Sequence, residues 1–186
     1  MNNSFINKES VKIDQAHADL LYGLIVSSKP KKVLELGVGG GKSADAILAA
    51  IQYNNNNCEF TIVDNWYDFG FKMPNEVFDR YGKYANIVSS SEKDFVFSCQ
   101  EKFDFIFSDA DHYATEQWFE YVYENLLYKG GILIYHDINL FEESFPNLRQ
   151  ILFDCQKLNL NYFLFNQNSL IGERCHRGLL VIFKNL

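Results

Sequence analysis

No uninterrupted apolar run in this 186-residue chain approaches the ~18 residues needed to cross a bilayer, so no membrane partner is expected. The opening stretch, Met1-Asn2-Asn3-Ser4-Phe5-Ile6-Asn7-Lys8, lacks the long apolar core of a secretion signal. Cysteine is sparse. Cys58, Cys99, Cys155 and Cys175 form no C-x-x-C pair and are expected as reduced, mostly packing residues of a cytoplasmic protein. Basic charge is also short: 17 Lys and Arg stand against 24 Asp and Glu, a net charge of −7. That balance argues against affinity drawn from phosphate backbones, so no nucleic-acid partner is expected. Lys29, Lys31 and Lys32 read as a solvated turn. There is no internal repeat, and the only low-complexity tract is a short asparagine run at Asn54–Asn57. What remains, 47% hydrophobic and 22% charged, suits one globular domain with a real core.

Apolar periodicity alternates between helix and strand along the chain. Helices are expected over Val11–Ser28, Ser43–Tyr53, Thr115–Tyr128 and Phe145–Leu158, the third closed by Gly130-Gly131. Strands are expected at Lys32–Leu36, Phe60–Val63, Ile87–Val88, Phe103–Ser108, Ile132–Tyr135, Tyr162–Phe165 and Leu179–Phe183. Such alternation implies a parallel sheet with helices on both faces and a ligand at the C-terminal strand ends.

The first expected strand runs into Glu35-Leu36-Gly37-Val38-Gly39-Gly40-Gly41-Lys42-Ser43. A dinucleotide fingerprint would need a third glycine where Lys42 stands. A P-loop would need a glycine where Leu36 stands, so Lys42-Ser43 is a near miss. The pattern E/D-x-G-x-G-x-G is met in full by Glu35, Gly37, Gly39 and Gly41. Asp64 follows about 20 residues beyond the glycines, at the end of the second strand, where a carboxylate can accept both ribose hydroxyls. At these residues the chain resembles the class I S-adenosylmethionine-dependent methyltransferases.

A second stretch sharpens that resemblance. Phe103-Asp104-Phe105-Ile106-Phe107-Ser108 ends in Asp109-Ala110-Asp111-His112, and Ile132-Leu133-Ile134-Tyr135 ends in His136-Asp137. Together they resemble the small-molecule O-methyltransferases, of sugar, macrolide and catechol type, over roughly Val33 to Lys184. The resemblance implies a single Rossmann-like, doubly wound α/β sheet of about seven strands, mostly parallel with the last strand antiparallel. It also implies one methyltransferase domain over 1–186, with 1–30 an N-terminal helical segment and 31–186 the cofactor-binding core. S-adenosylmethionine would meet Glu35, Gly37, Gly39, Gly41, Asp64, Asn65, Trp66, Ser91, Glu92 and Asp109. Ser91 and Glu92 read equally well as a helix cap with its acid.

His112, His136 and Asp109 are the expected catalytic residues, a histidine taking the proton of a small-molecule hydroxyl. A structural hydrogen bond is the plainer role for either histidine alone, and His17 and His176 have weaker claims. Several relatives in the resembled family hold Mg²⁺ between residues matching Asp109 and Asp137. Here Ile138 stands where catechol-type enzymes carry an asparagine, so one ligand is missing; Asn139 or Asp111 are the substitutes within reach. Trp66-Tyr67-Asp68-Phe69-Gly70-Phe71 would stack on adenine or cover the acceptor, or serve as ordinary packing or a homodimer surface. Two other classes compete: a P-loop-like nucleotide hydrolase using Lys42, Ser43 and Asp109, and a non-catalytic cofactor-binding domain.

Overall fold

Strands this apolar must be covered on both faces. The structure, a computed structural model, describes residue 13 and residues 15–138, 147–165 and 177–186. Within it, seven strands form one sheet: β1 (Lys32–Leu36), β2 (Glu59–Asp64), β3 (Asn86–Ser89), β4 (Phe103–Ser108), β5 (Leu127–His136), β6 (Asn161–Phe165) and β7 (Leu179–Phe183). Their spatial order is β3-β2-β1-β4-β5-β7-β6. The pairs from β3 through β5 are parallel. β7 runs antiparallel to both β5 and β6, so it is the reversed strand. The expected doubly wound sheet is therefore present, with its antiparallel end.

Helices α1 (Gln15–Ser28), α2 (Lys42–Asn54) and α3 (Asn75–Tyr81) cover one face. Helices α4 (Glu92–Ser98), α5 (Phe119–Tyr121) and α6 (Leu148–Lys157) cover the other. Strand alternation sorts the core. Phe105, Phe107, Ile132 and Ile134 pack toward α1 and α2, while Ile106, Leu133 and Tyr135 pack toward α5 and α6. Side chains such as Leu21, Ile25, Ile47 and Phe119 are fully buried, each contributing about 1.5–3 kcal/mol of apolar transfer. No helix among the described residues is long and apolar enough to cross a membrane. Cys58 and Cys99 are partly buried and Cys155 buried, all three unpaired.

Element ends differ most from the periodicity between Thr115 and Ile132; α1 also begins at Gln15 and α6 at Leu148, and α3 lies where no helix was expected. The helix expected from Thr115 to Tyr128 is instead a 3₁₀ turn (Thr115–Trp118), one α turn (α5) and a π turn (Val122–Leu126). β5 then begins at Leu127, not Ile132. Gly130 and Gly131 lie inside that strand, next to an irregularity in its pairing with β4. Gly130 takes a φ of 78° and its N–H donates to Lys184 O at 2.8 Å. The glycine pair accommodates a bulge rather than stopping a helix. The starts of the expected first and last helices, Val11–Lys12 and Phe145–Pro146, lie outside the described residues.

Candidate active site

The order of the strands reverses between β1 and β4, and the ends of β1 to β5 open there on a cleft of about 1040 Å³. Its wall begins with the glycine loop. Gly37, Gly39 and Gly41 all have positive φ, at 83°, 45° and 78°. At Gly37 a Cβ would stand 2.5 Å from the Asp109 carbonyl oxygen, so this glycine is required by the neighbouring strand end rather than by a ligand. Gly41 caps α2, and its carbonyl accepts from the buried Tyr81 hydroxyl at 2.9 Å. Behind the loop, Glu35 is fully buried and accepts from Ser43 Oγ. Burial pushes its carboxyl up to about 8, the Ser43 hydrogen bond opposing and Asp109, Asp64 and Asp45 adding to the rise.

Asp64 joins loop and cleft. Its Oδ2 accepts the N–H of Val38 at 2.9 Å and of Gly39 at 3.3 Å, and its Oδ1 accepts that of Trp66 at 2.6 Å. Carboxylate oxygens hold about four lone-pair sites between them, which leaves capacity for a ligand hydroxyl. Ser91 caps α4 through the Asp94 N–H at 3.1 Å and also lines the cleft. Glu92, buried at the cleft edge, accepts from Ser108 Oγ (2.8 Å), Thr115 Oγ1 (3.0 Å) and Asp111 N–H (3.2 Å). Burial raises its carboxyl, and these donors oppose the rise.

The floor is a charged cluster. His136 Nδ1 lies 3.1 Å from Asp109 Oδ1 and 3.0 Å from Asp137 Oδ1. His112 Nε2 lies 3.0 Å from Asp137 Oδ2 and 3.3 Å from Asp109 Oδ1. Arg177 approaches Asp137 at 3.5 Å. Burial alone would lower both histidines, but the two carboxylates outweigh it and raise His112 to about 10 and His136 to about 9. Burial likewise opposes ionisation of the acids, yet the histidines hold Asp109 and Asp137 below the usual carboxylate range. Asp137 reaches the cluster from a left-handed backbone, φ 59°.

The structure separates the expected residues into those that face the cleft and those that support it. Gly37, Gly39, Asp64, Asn65, Ser91, Glu92, Asp109, His112 and Asp137 line the cleft. Glu35 and Gly41 stand behind its wall. Trp66 is a correction: its indole is fully buried in the core beneath the sheet end and cannot stack on a ligand. Tyr67 and Phe69 of the same stretch do line the cleft. His136 is 1% exposed and also sits behind the cleft. Ile138 is buried in the core, Asp111 Oδ1 is occupied by the Tyr113 N–H, and Asn139 and His176 lie outside the described residues.

Sequence reasoning undervalued His17. It is fully buried on α1, with Nδ1 3.0 Å from His136 Nε2. One signal was there: His17, Leu21 and Ile25 recur every fourth residue, on one helix face. Tyr81 and Arg177 were not singled out as site residues, and no local pattern marks them.

A family described as "Methyltransferase domain" matches residues 34–138. None of the curated proteins compared with the chain matches it. Among solved structures, it is similar to the O-methyltransferase TomG from Streptomyces achromogenes, involved in tomaymycin synthesis and in complex with S-adenosylmethionine: 12% identity, 96% of this chain and 83% of that one, TM-score 0.74. It is similar to the O-methyltransferase from Bacillus cereus in complex with S-adenosylhomocysteine, at 15% identity, 98% and 87% coverage and a TM-score of 0.74. It is also similar to the S-adenosylhomocysteine-bound methyltransferase PaMTH1 from Podospora anserina, at 16% identity, 94% and 80% coverage and a TM-score of 0.71. The fold is theirs, and the chain belongs to the methyltransferase family.

Proposed function

We propose that this methyltransferase passes the methyl group of S-adenosylmethionine to a hydroxyl of a small molecule bound in the same cleft. One observation carries the reading: a single space holds the glycine-loop backbone, the Asp64 carboxylate and the Asp109–His112–Asp137 cluster. At about 1040 Å³ it stands at the top of the usual pocket range of ~300–1,000 Å³, enough for a cofactor and an acceptor together. We read the chain as one methyltransferase domain, and the nucleotide-hydrolase alternative has no support in its family.

The cofactor supplies an electrophilic methyl on a sulfonium, which leaves in one in-line displacement. Gly37 and Gly39 offer backbone without a Cβ, and Asp64 accepts the ribose hydroxyls with the lone pairs its loop contacts leave over. Ser91 and Glu92 border the adenine side, with Tyr67 and Phe69 as the apolar cover. Asp109 lies between the cofactor's methionine end and the acceptor. His112 is the histidine placed to meet the acceptor hydroxyl, because it lines the cleft while His136 is buried behind it. Its neutral form takes the proton as the C–O bond forms. The carboxylates that raise it favour its charged form, so the neutral base becomes abundant only toward alkaline pH. Positioning of this kind can supply on the order of 7–11 kcal/mol of a barrier.

Mg²⁺ fits this cluster poorly. The ion prefers oxygen ligands, and the described residues offer two carboxylates with an imidazole nitrogen wedged against both.

Calorimetric titration with S-adenosylhomocysteine tests the cofactor. The native chain is expected to bind at micromolar concentration and the Asp64→Ala variant at least tenfold more weakly. Transfer of label from S-adenosylmethionine to a panel of hydroxylated acceptors then tests the chemistry. Absence of binding to the native chain overturns the reading.

A further inference from the structure

The glycine loop enters α2 without a side chain to fasten it. Gly41 stands at the N-cap with a left-handed backbone, φ 78°, and makes no side-chain cap. Asn, Asp, Ser or Thr usually hold that position through a side-chain oxygen. Here the fastening comes from far along the chain: the hydroxyl of Tyr81, the last residue of α3, lies 2.9 Å from Gly41 O. We propose that Tyr81 is a positioning residue for the cofactor, its hydroxyl setting the glycine loop in the shape that receives S-adenosylmethionine. The inference rests on the methyl-transfer reading of the cleft and assigns a residue that does not itself line that cleft.

Tyr81 is fully buried, and its hydroxyl is also 2.9 Å from Asp45 Oδ1 in the first turn of α2. Arg80 binds Asp45 Oδ2 and lies over the Tyr81 ring, 5.8 Å from its centroid. Burial, then the Asp45 charge, pushes the Tyr81 hydroxyl above its ordinary range. It therefore keeps its proton and stays a donor, shared between Gly41 O and Asp45 Oδ1. The end of α3 thus grips the end of the loop and the start of α2 together. Asp64 holds the front of the same loop, through the N–H groups of Val38 and Gly39. Asp64 and Tyr81 bound one connection, which runs from the end of β2 past the buried Trp66 to the end of α3. Residues 38–41 are therefore pinned at both ends by a single segment. Gly39 on one side of Gly41, and Lys42 and Ser43 on the other, line the cleft. A displacement of the Gly41 carbonyl moves that ligand-facing backbone. A loop held in place beforehand spares the ligand the cost of ordering it. Packing against Val77 and the rest of the core needs the Tyr81 ring but not its hydroxyl, which allows the two roles to be separated.

The test is calorimetric titration of the whole chain with S-adenosylhomocysteine, beside Tyr81→Phe, which keeps the ring and removes the donor. Tyr81→Phe is expected to bind about 3–10-fold more weakly, the worth of one hydrogen bond. Tyr81→4-aminophenylalanine restores a donor and is expected to bind within about threefold of the native chain. Amide hydrogen exchange at residues 38–43 should quicken in free Tyr81→Phe and return to the native rate at saturation. Lys184→Met, beyond β7 at the opposite edge of the sheet, controls for lost stability and should bind as the native chain does. Circular dichroism checks each fold. Tyr81→4-fluorophenylalanine, which fills the hydroxyl's space without donating, replaces Tyr81→Phe if that variant does not fold. A folded Tyr81→Phe whose affinity falls less than about threefold overturns the proposal and leaves the methyl-transfer reading standing. An equal loss in Lys184→Met also overturns it, because affinity would then follow stability rather than the loop. Absence of binding to the native chain overturns the methyl-transfer reading, and this inference with it.

Discussion

A fully buried glutamate must either keep its proton or find a cation, and Glu35 has no cation against it among the described residues. Its only side-chain partner is the Ser43 hydroxyl, and Oε2 accepts nothing among the described residues. Burial holds its folded value at about 8 against an ordinary 4.5. The folded state therefore binds the proton more tightly than the unfolded one. The stability this gives is full below about pH 4.5 and is lost as pH rises through 8, with a slope of up to about 1.4 kcal/mol per pH unit. Glu35→Gln keeps an acceptor for Ser43 and removes the titration. Its melting temperature should exceed the native value at pH 8 and approach it at pH 5; a gap that does not change with pH would refute the assignment. The E-x-G-x-G-x-G pattern found this residue but placed it at the cofactor, because spacing says nothing of which side of a wall a side chain lands on. The same limit applies to Trp66, whose ring went into the core.

Elements were legible where their signal was local. β1, β4 and β7 have the ends that apolar runs and flanking turns indicated. The failure came between Thr115 and Ile132, and its cause lies far along the chain. Lys184, just beyond β7, donates its ammonium to the carbonyls of Tyr123, Glu124 and Leu127 and lies over the Tyr123 ring at 4.9 Å. Those carbonyls are the orphan acceptors of a helix end. A partner about 60 residues away lets the helix widen into a π turn and hand over to β5 at Leu127. No window of sequence contains both halves of that contact. Lys184→Met keeps much of the apolar stem and removes the donor. It should cost about 1.5–3 kcal/mol, the worth of charged hydrogen bonds at a nearly buried site. An unfolding free energy from denaturant titration within about 0.5 kcal/mol of native would mean that the π turn stands without its cap.

At the scale of the whole molecule, the cleft exists because chain order and strand order disagree at β1 and β4, which alternation of helices and strands was enough to foresee. What alternation could not supply is the depth of the cluster beneath it, where α1 near the start of the chain contributes His17 to a site whose other members follow β4 and β5. A ligand in this cleft touches residues after five successive strands, from Gly37 to Asp137, so it cannot stay bound to a chain that has lost any part of that edge. Binding and global unfolding are then linked, and S-adenosylhomocysteine at 100 times its Kd should add about 2.7 kcal/mol to the folded state. For a chain of this size that corresponds to a rise of roughly 5–10 °C in melting temperature. In Asp64→Ala the same concentration should raise it by about half as much or less, since the stabilisation grows with the ratio of ligand to Kd. The variant without ligand should also melt below the native chain, because the N–H groups of Val38, Gly39 and Trp66 lose their acceptor. A native shift as small as the variant's, at a concentration where calorimetry shows saturation, would mean that the ligand sits on a part of the molecule that survives unfolding of the sheet edge.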